Sequence, residues 1–130
     1  MDMAIRDLQP SQFYLSAGKL ERVMSWFDPR DLSGFEPLPV KLLDGRHVLT
    51  DGHTRAFAAL SAGLERVPVV WDEDELDWEA YRIDVEACLR RGVAGVEDLA
   101  GRVLSEADYA RKWMGWCDAV HEVLSIQRSR

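Results

Sequence analysis

Two hydrophobic periods divide this chain. Leu38–Leu43, Arg46–Thr50 and Arg66–Trp71 are short runs rich in Val, Leu and Ile-like side chains, and each is predicted as a strand. Asp44-Gly45 between the first two is a hairpin turn signal. Elsewhere the apolar spacing is three and four. Ala17–Phe27 places Leu20, Val23, Met24 and Phe27 on one side of a helix, with Ser16 as N-cap and Asp28-Pro29 as the stop. His53–Ala62 is an alanine-rich helix closed by Gly63. Trp78–Arg91 carries Trp78, Tyr81, Val85, Cys88 and Leu89 on one stripe, and Gly92 ends it. Val96–Val103 reads as a short helix. Ser105 caps a longer one to about Gln127, with a stripe of Ala110, Trp113, Cys117, Val120 and Leu124 close to heptad spacing. Met1–Asp7 is expected as a frayed or edge segment, and Pro10–Gln12, Asp31–Glu36 and the acidic stretch Asp72–Asp77 as loops.

Three strands alone make a thin core. The C-terminal helices are therefore expected to pack on the sheet; the alternative is a stripe exposed to a protein partner or a homodimer. The expected fold class is α+β, a small mixed sheet with helices and a helical C-terminal section. It forms one domain over residues 1–130, with a core at 8–71 and an acidic helical extension at 72–130 packed on it. A chain of 130 residues with 47% hydrophobic side chains suits one such core.

Charge separates the two parts. Residues 1–71 hold 9 acids against 8 Lys/Arg, and residues 72–130 hold 14 against 8. The formal charge of -7 therefore sits in the C-terminal half. Duplex DNA binders present a basic face, so DNA is disfavoured as a partner. No apolar run approaches the roughly 20 residues of a membrane span, and Met1–Asp7 lacks the apolar stretch of a secretory signal. The expectation is a cytoplasmic protein without membrane contact. Cys88 and Cys117 sit in apolar helical surroundings without a C-x-x-C pair, as two small buried hydrophobes of a reducing cell. Geometry decides whether they pair.

The candidate chemistry lies in Asp51-Gly52-His53-Thr54-Arg55, between a short strand and an alanine-rich helix. A helix start offers free N–H groups and the positive end of the helix dipole, and so attracts anions. Arg55 adds a planar fork suited to phosphate or carboxylate. His53 can donate to a phosphate or shuttle a proton, or be a hydrogen-bonded structural histidine. Asp51 can act as a base, or turn the strand and cap the helix. Thr54 is either a phosphate ligand or a helix-start hydroxyl. Gly52 tolerates positive φ and lets a ligand approach the backbone. The run Asp72-Glu73-Asp74-Glu75 with Asp77 can hold Mg²⁺ beside substrate phosphates, or be a solvated turn whose acids suit the next helix N-terminus. Trp71 and Trp78 flank it and are expected in the core, with stacking on a base as the other use.

With its alanine-rich helix, glycine and Val67-Pro68-Val69 strand, Asp51–Arg55 resembles the nucleotide-binding box of the ParB/sulfiredoxin superfamily. Leu8-Gln9-Pro10-Ser11-Gln12 and Pro37-Leu38-Pro39-Val40 fit the upstream part, so the resemblance covers about Leu8 to Trp71. It implies a ParB/sulfiredoxin-like core and a pocket for a nucleotide (ATP, ADP or CTP), lined by Gln12, Gly52, His53, Thr54 and Arg55, with Asp51 and His53 as catalytic candidates. The superfamily's ADP-dependent free-serine kinases use a glutamate where this chain has Gln12, which lacks a basic carboxylate. Sulfiredoxins need a cysteine before the histidine, where Gly52 stands. Partition ParB proteins carry a Glu-Arg-Arg type box, a helix-turn-helix and basic segments; here the box is His53-Thr54-Arg55 and the second half is acidic.

The functional expectation is a domain that binds a nucleotide or another phosphorylated small molecule, as an NTPase or small-molecule phosphotransferase. The alternative is a non-catalytic regulatory or adaptor module on the same fold, and a weaker alternative is a DNA partition or nuclease-like protein.

Overall fold

The computed structural model describes residues 1–130. In chain order the elements are β1 (Asp2–Ala4), β2 (Leu8–Gln9), β3 (Leu15–Ser16), α1 (Ala17–Trp26), β4 (Leu38–Leu43), β5 (Arg46–Leu49), α2 (His53–Ser61), β6 (Arg66–Trp71), α3 (Trp78–Arg90), β7 (Val103–Leu104), α4 (Glu106–Tyr109) and α5 (Gly115–Arg128). Residues Ala110–Met114 form a π-helical turn that joins α4 to α5. The fold is α+β. Five strands form a mixed sheet in the order β1-β6-β4-β5-β2, and β3 pairs with β7 in a separate two-stranded ladder.

The β4–β5 hairpin is the centre of the sheet. Its two-residue turn has Asp44 at φ 51° and Gly45 at φ 80°, both left-handed, as a turn matching strand twist demands. Antiparallel pairing sets Val40 against Leu49 and Leu43 against Arg46. β6 adds in parallel to β4, and β2 in parallel to β5. Parallel β2 and β5 deliver the loops after both strands to the same edge of the sheet. Beside that edge, α2 rests on the core through Ala56, Ala58 and Ala59, all fully buried. Methyl-sized side chains let the helix lie close to the strands.

Phe13, in the loop after β2, ties the C-terminal helices to this frame. Its ring meets Trp113 and Trp116 edge-on, with centroids 4.9 and 5.4 Å away. The Arg91 guanidinium lies 4.2 Å from the ring centre, and Arg102 Nη1 donates to the Phe13 carbonyl (3.3 Å). α3 and α5 meet along Ala80, Val120 and Leu124, where Trp116 Nε1 donates to Asp84 (3.0 Å). The predicted C-terminal stripe is buried at Trp113, Val120 and Leu124, half-buried at Cys117 and exposed at Ala110. The π turn widens the winding at Ala110–Met114, and Tyr109 takes the buried place that heptad spacing assigns to Ala110.

Other differences from the sequence expectation have similar causes. Val96–Val103 is not one helix: Val96–Leu99 is a 3₁₀ turn, and the chain then extends so that Leu15 N–H reaches the Arg102 carbonyl (3.0 Å) and β7 pairs with β3. Leu8–Gln9 and Leu15–Ser16 form strands within the segment expected as loop and helix entry, too short to show a period. Met1–Asp7 supplies the edge strand β1 and a 3₁₀ turn at Ile5–Asp7. Trp71 is not in the core; it is 45% exposed at the end of β6, tilted 6.0 Å from the His47 ring. Met24 is exposed, because α1 buries none of its side chains fully. Cys88 and Cys117 are both free, and burial pushes their thiols up to about 12 and about 11. No helix is long and apolar enough to cross a membrane.

Phe13 carries more of the tertiary contact than its loop position suggests. Phe13→Ala is expected to lower unfolding free energy by about 3–5 kcal/mol, measured as a fall in denaturant midpoint at unchanged m-value.

Candidate functional site

The parallel pairing of β2 with β5 puts the Pro10–Tyr14 loop beside the Thr50–Gly52 loop, outside the carboxyl ends of two adjacent strands. Such strand ends are where open sheets leave room for ligands. Two hydrogen bonds fasten the loops together. Ser11 Oγ donates to the Leu49 carbonyl (2.6 Å), and the Ser11 amide donates to His53 Nε2 (2.9 Å). Both residues are buried, His53 to 4% exposure. An Nε2 that accepts from a backbone amide carries no proton, so the neutral ring holds its proton on Nδ1. Burial, against a small opposing pull from Asp51, lowers the His53 pKa to about 4. His53 is thus a neutral ring that holds a loop, and it does not titrate near neutral pH.

Gly52 precedes α2 as its N-cap at φ 76°, a left-handed backbone without a capping side chain. A Cβ there would fall 2.7 Å from both Arg55 Nη2 and Leu38 Cδ2. The space beside Gly52 is therefore filled by the protein's own side chains, which differs from the open approach expected for a ligand. Asp51 is exposed and does not cap the helix; its Oδ1 accepts from the Gly52 amide (2.8 Å). The first intrahelical bond runs from Ala56 N–H to the Gly52 carbonyl, and the amides of His53, Thr54 and Arg55 have no protein acceptor. These three amides, with the Gly52 amide already taken, are the free donors of the helix start.

Arg55 folds back over Gly52. Its Nη1 donates to the Glu36 carbonyl (2.6 Å), and its guanidinium stands 5.9 Å from the Phe35 ring centre. Gln12 turns its amide nitrogen inward, to the Tyr14 carbonyl (2.7 Å) and the Tyr109 hydroxyl (3.0 Å). Because a backbone carbonyl can only accept, the Gln12 atom facing it is the nitrogen, and Oε1 is left without a protein partner.

These residues line a groove of about 280 Å³: Gln12, Asp51, Gly52, His53, Thr54 and Arg55, joined by Lys19, Arg22 and Val23 from α1. The box and Gln12 line one groove, although they are about 40 residues apart in sequence. Lys19 and Arg22 are the residues that sequence reasoning missed. They enter because Ser16 caps α1, accepting from Lys19 N–H (3.2 Å), and starts that helix at the groove. Lys19 Nζ also lies 5.2 Å from the centre of the Tyr109 ring. Lys19, Arg22 and Arg55 make no ion pair with any carboxylate; the ion pairs of this chain lie elsewhere. The i, i+3 spacing of Lys19 and Arg22 on α1 was the one available sequence signal.

The acidic stretch behaves differently. Asp72 Oδ2 accepts from Thr50 Oγ1 (2.5 Å) and its Oδ1 from the Asp74 amide (3.0 Å). Asp77 caps α3 and pairs with Arg128 at 2.9 Å, which lowers its pKa to about 2. No group of three or more His, Cys, Asp or Glu side chains has the arrangement of a metal site. Val96–Trp113, equal in length to a helix-turn-helix, is a 3₁₀ turn, a strand and the start of the C-terminal helix.

No family model matches the chain, and no curated protein matches it. Among solved structures it is similar to protein Atu1540 from Agrobacterium tumefaciens, with 20% identity, a TM-score of 0.47, and coverage of 76% of this chain and 60% of that one. It is also similar to the C-terminally truncated chromosome-partitioning protein ParB from Caulobacter crescentus, crystallised with the centromeric parS site. That pair shares 20% identity and a TM-score of 0.46 over 86% of this chain and 56% of the other. The chain thus spans less than two thirds of either structure, and neither likeness bears on what the groove binds.

The neutral His53 ring has a measurable consequence. Its folded pKa lies below its ordinary value, so the unfolded chain takes up the proton first as pH falls. The ring's contribution is complete above about pH 6.5 and is lost toward about pH 4. Asp84, raised to about 6, has the opposite slope below pH 6, so wild-type stability alone mixes the two. His53→Gln keeps an acceptor for Ser11 without a titrating proton. The stability difference between wild type and this variant is expected to shrink by about 2 kcal/mol from pH 7 to pH 5, measured by urea unfolding at both values. A constant difference would mean that His53 titrates normally.

Proposed function

We propose that the groove at the start of α2 binds the phosphate groups of a nucleotide or another phosphorylated small molecule. One observation carries the reading: in a chain with 23 acids against 16 Lys/Arg, three cations converge on one groove with no carboxylate partner, beside three backbone amides with no acceptor. Unpaired donors and cations gathered at a helix start favour an anion with several acceptor oxygens. Phosphate meets both sets, since backbone N–H groups and a guanidinium fork address different oxygens of it.

In this reading the amides of His53, Thr54 and Arg55 hold one phosphate, and Lys19, Arg22 and Arg55 neutralise it. Gln12 contributes a carbonyl oxygen, which accepts from a ribose hydroxyl or an ordered water. His53 acts by keeping the Ser11–Gln12 loop against the helix. Asp51 is the one carboxylate lining the groove. A carboxylate repels a bare phosphate and suits one accompanied by a divalent cation, so Mg²⁺ belongs in the test. Binding is the primary assignment. Phosphotransfer or NTP hydrolysis would need Asp51, because Gln12 supplies no base. Duplex DNA is a poor fit, since the helices carrying most of the acids pack against the loops that form the groove.

The test is thermal unfolding with ATP, ADP, CTP and GTP, each with and without Mg²⁺, on wild type, Arg55→Ala and Lys19→Ala/Arg22→Ala. A ligand at about 100 times its dissociation constant stabilises by about 2.7 kcal/mol, a shift of several degrees for this size of domain. The expected result is a shift with at least one nucleotide in wild type, reduced in both variants. Equal shifts in all three proteins would remove the groove as the binding site.

A further inference from the structure

Behind the wall formed by Gln12 and His53 lies a second, more enclosed cavity of about 230 Å³, between the start of α2 and the α3–α5 seam. Its chemistry is the reverse of the groove's. The hydroxyl and side-chain amide hydrogens on its wall are committed to the protein: Ser11 Oγ donates to Leu49 O (2.6 Å), Thr50 Oγ1 to Asp72 (2.5 Å), Tyr81 Oη to Thr50 O (3.0 Å), and Gln12 Nε2 to Tyr14 O and Tyr109 Oη. Acceptors remain. Tyr81 Oη keeps its lone pairs and Gln12 its Oε1. Asp84 uses one carboxylate oxygen on the Trp116 indole, and no protein donor reaches the other. No cation of the chain pairs with Asp84. Trp113 and Val120 supply apolar wall. The uncommitted donors on the lining are the His53 Nδ1–H and the Trp113 indole N–H, both neutral, with the exposed His121 and the weak thiol of Cys117, which burial keeps neutral.

We infer that this cavity is a binding site for a compact organic cation, a primary ammonium group donating to Asp84, Tyr81 and Gln12 with its carbon stem against Trp113. An ammonium carries three donors and a positive charge, which is the complement of the Asp84 carboxylate and the Tyr81 and Gln12 oxygens. A half-buried carboxylate without a cation is costly, and the pKa of Asp84, raised by burial to about 6, reports that cost. Trp113 adds an aromatic face for the charge. The site shares a wall and the Gln12 oxygen with the phosphate groove, but its charged group, Asp84, does not line that groove.

The Trp116 indole N–H, bonded to Asp84, is the reporter. Ethylammonium chloride is titrated into the protein near pH 7.5 and the indole resonance is followed by NMR, with ethanol as the neutral analogue and sodium chloride as the ionic-strength control. The expected result is a saturable shift with ethylammonium alone, weakened about tenfold or more in Asp84→Asn. That variant keeps an oxygen acceptor for Trp116. Cys117→Leu, which fills the cavity and leaves Asp84 intact, is expected to abolish the shift. Lys19→Ala/Arg22→Ala is expected to leave it unchanged, which separates this site from the phosphate groove. An equal response to ethanol, an undiminished response in Asp84→Asn, or no saturable response in folded wild type would overturn the proposal.

Discussion

A single buried hydrogen bond, from the Ser11 amide to His53 Nε2, governs the arrangement at the functional end of this protein. It joins the loop after β2 to the first residue of α2, elements about 40 residues apart in the chain. Breaking it would strand a buried donor and a buried acceptor at once, at a cost of about 1–3 kcal/mol each. The bond also fixes the charge of the ring, since only a neutral imidazole can accept there. With the loop held, Gln12 faces the groove, and Phe13 points the other way into the aromatic contacts that seat the C-terminal helix. One interaction thus sets both the shape of the site and the attachment of the acidic half.

The electrostatic division follows from that geometry. Most acids of the C-terminal half are solvated or paired with arginines of the same half, as Glu86 is with Arg90 along α3 and Asp77 and Glu79 are with Arg128 of α5. The groove, in contrast, collects cations from two helices whose starts converge, and leaves them without partners. On the far side of Gln12 and His53 the wall presents a carboxylate, Asp84, with no cation beside it. Gln12 stands between the two because its amide is polarised across the wall, nitrogen inward to Tyr14 and Tyr109 and oxygen free. A glutamate at that position could not donate to the Tyr14 carbonyl while ionised.

Much of the fold is legible in the sequence where a local signal suffices. β4 and β6 begin and end where their apolar runs do, and Asp44-Gly45 turns the hairpin as such a pair must. Ser16 and Ser105 cap the helices they precede, each accepting from the amide three residues on. The illegible parts are those with no local signal. β2, β3 and β7 have two residues each, and exist because a partner strand lies beside them. The π turn answers to the core around Tyr109 and Trp113, not to helical propensity. Trp71 looks like core material by composition, yet it ends an exposed strand face.

The candidate site divides along the same line. The sequence by itself determined the strand–turn–helix at Asp51–Arg55, the glycine that turns it and the basic side chain three residues on, because each of these depends only on neighbours in the chain. Tertiary structure alone decided that Lys19 and Arg22 face that helix start, that His53 is neutral, that the space at Gly52 is occupied by Arg55 and Leu38, and that Asp84 lacks a cation. Burial and the pairing of donors with acceptors are properties of surroundings assembled from distant segments. No spacing along one chain can state them.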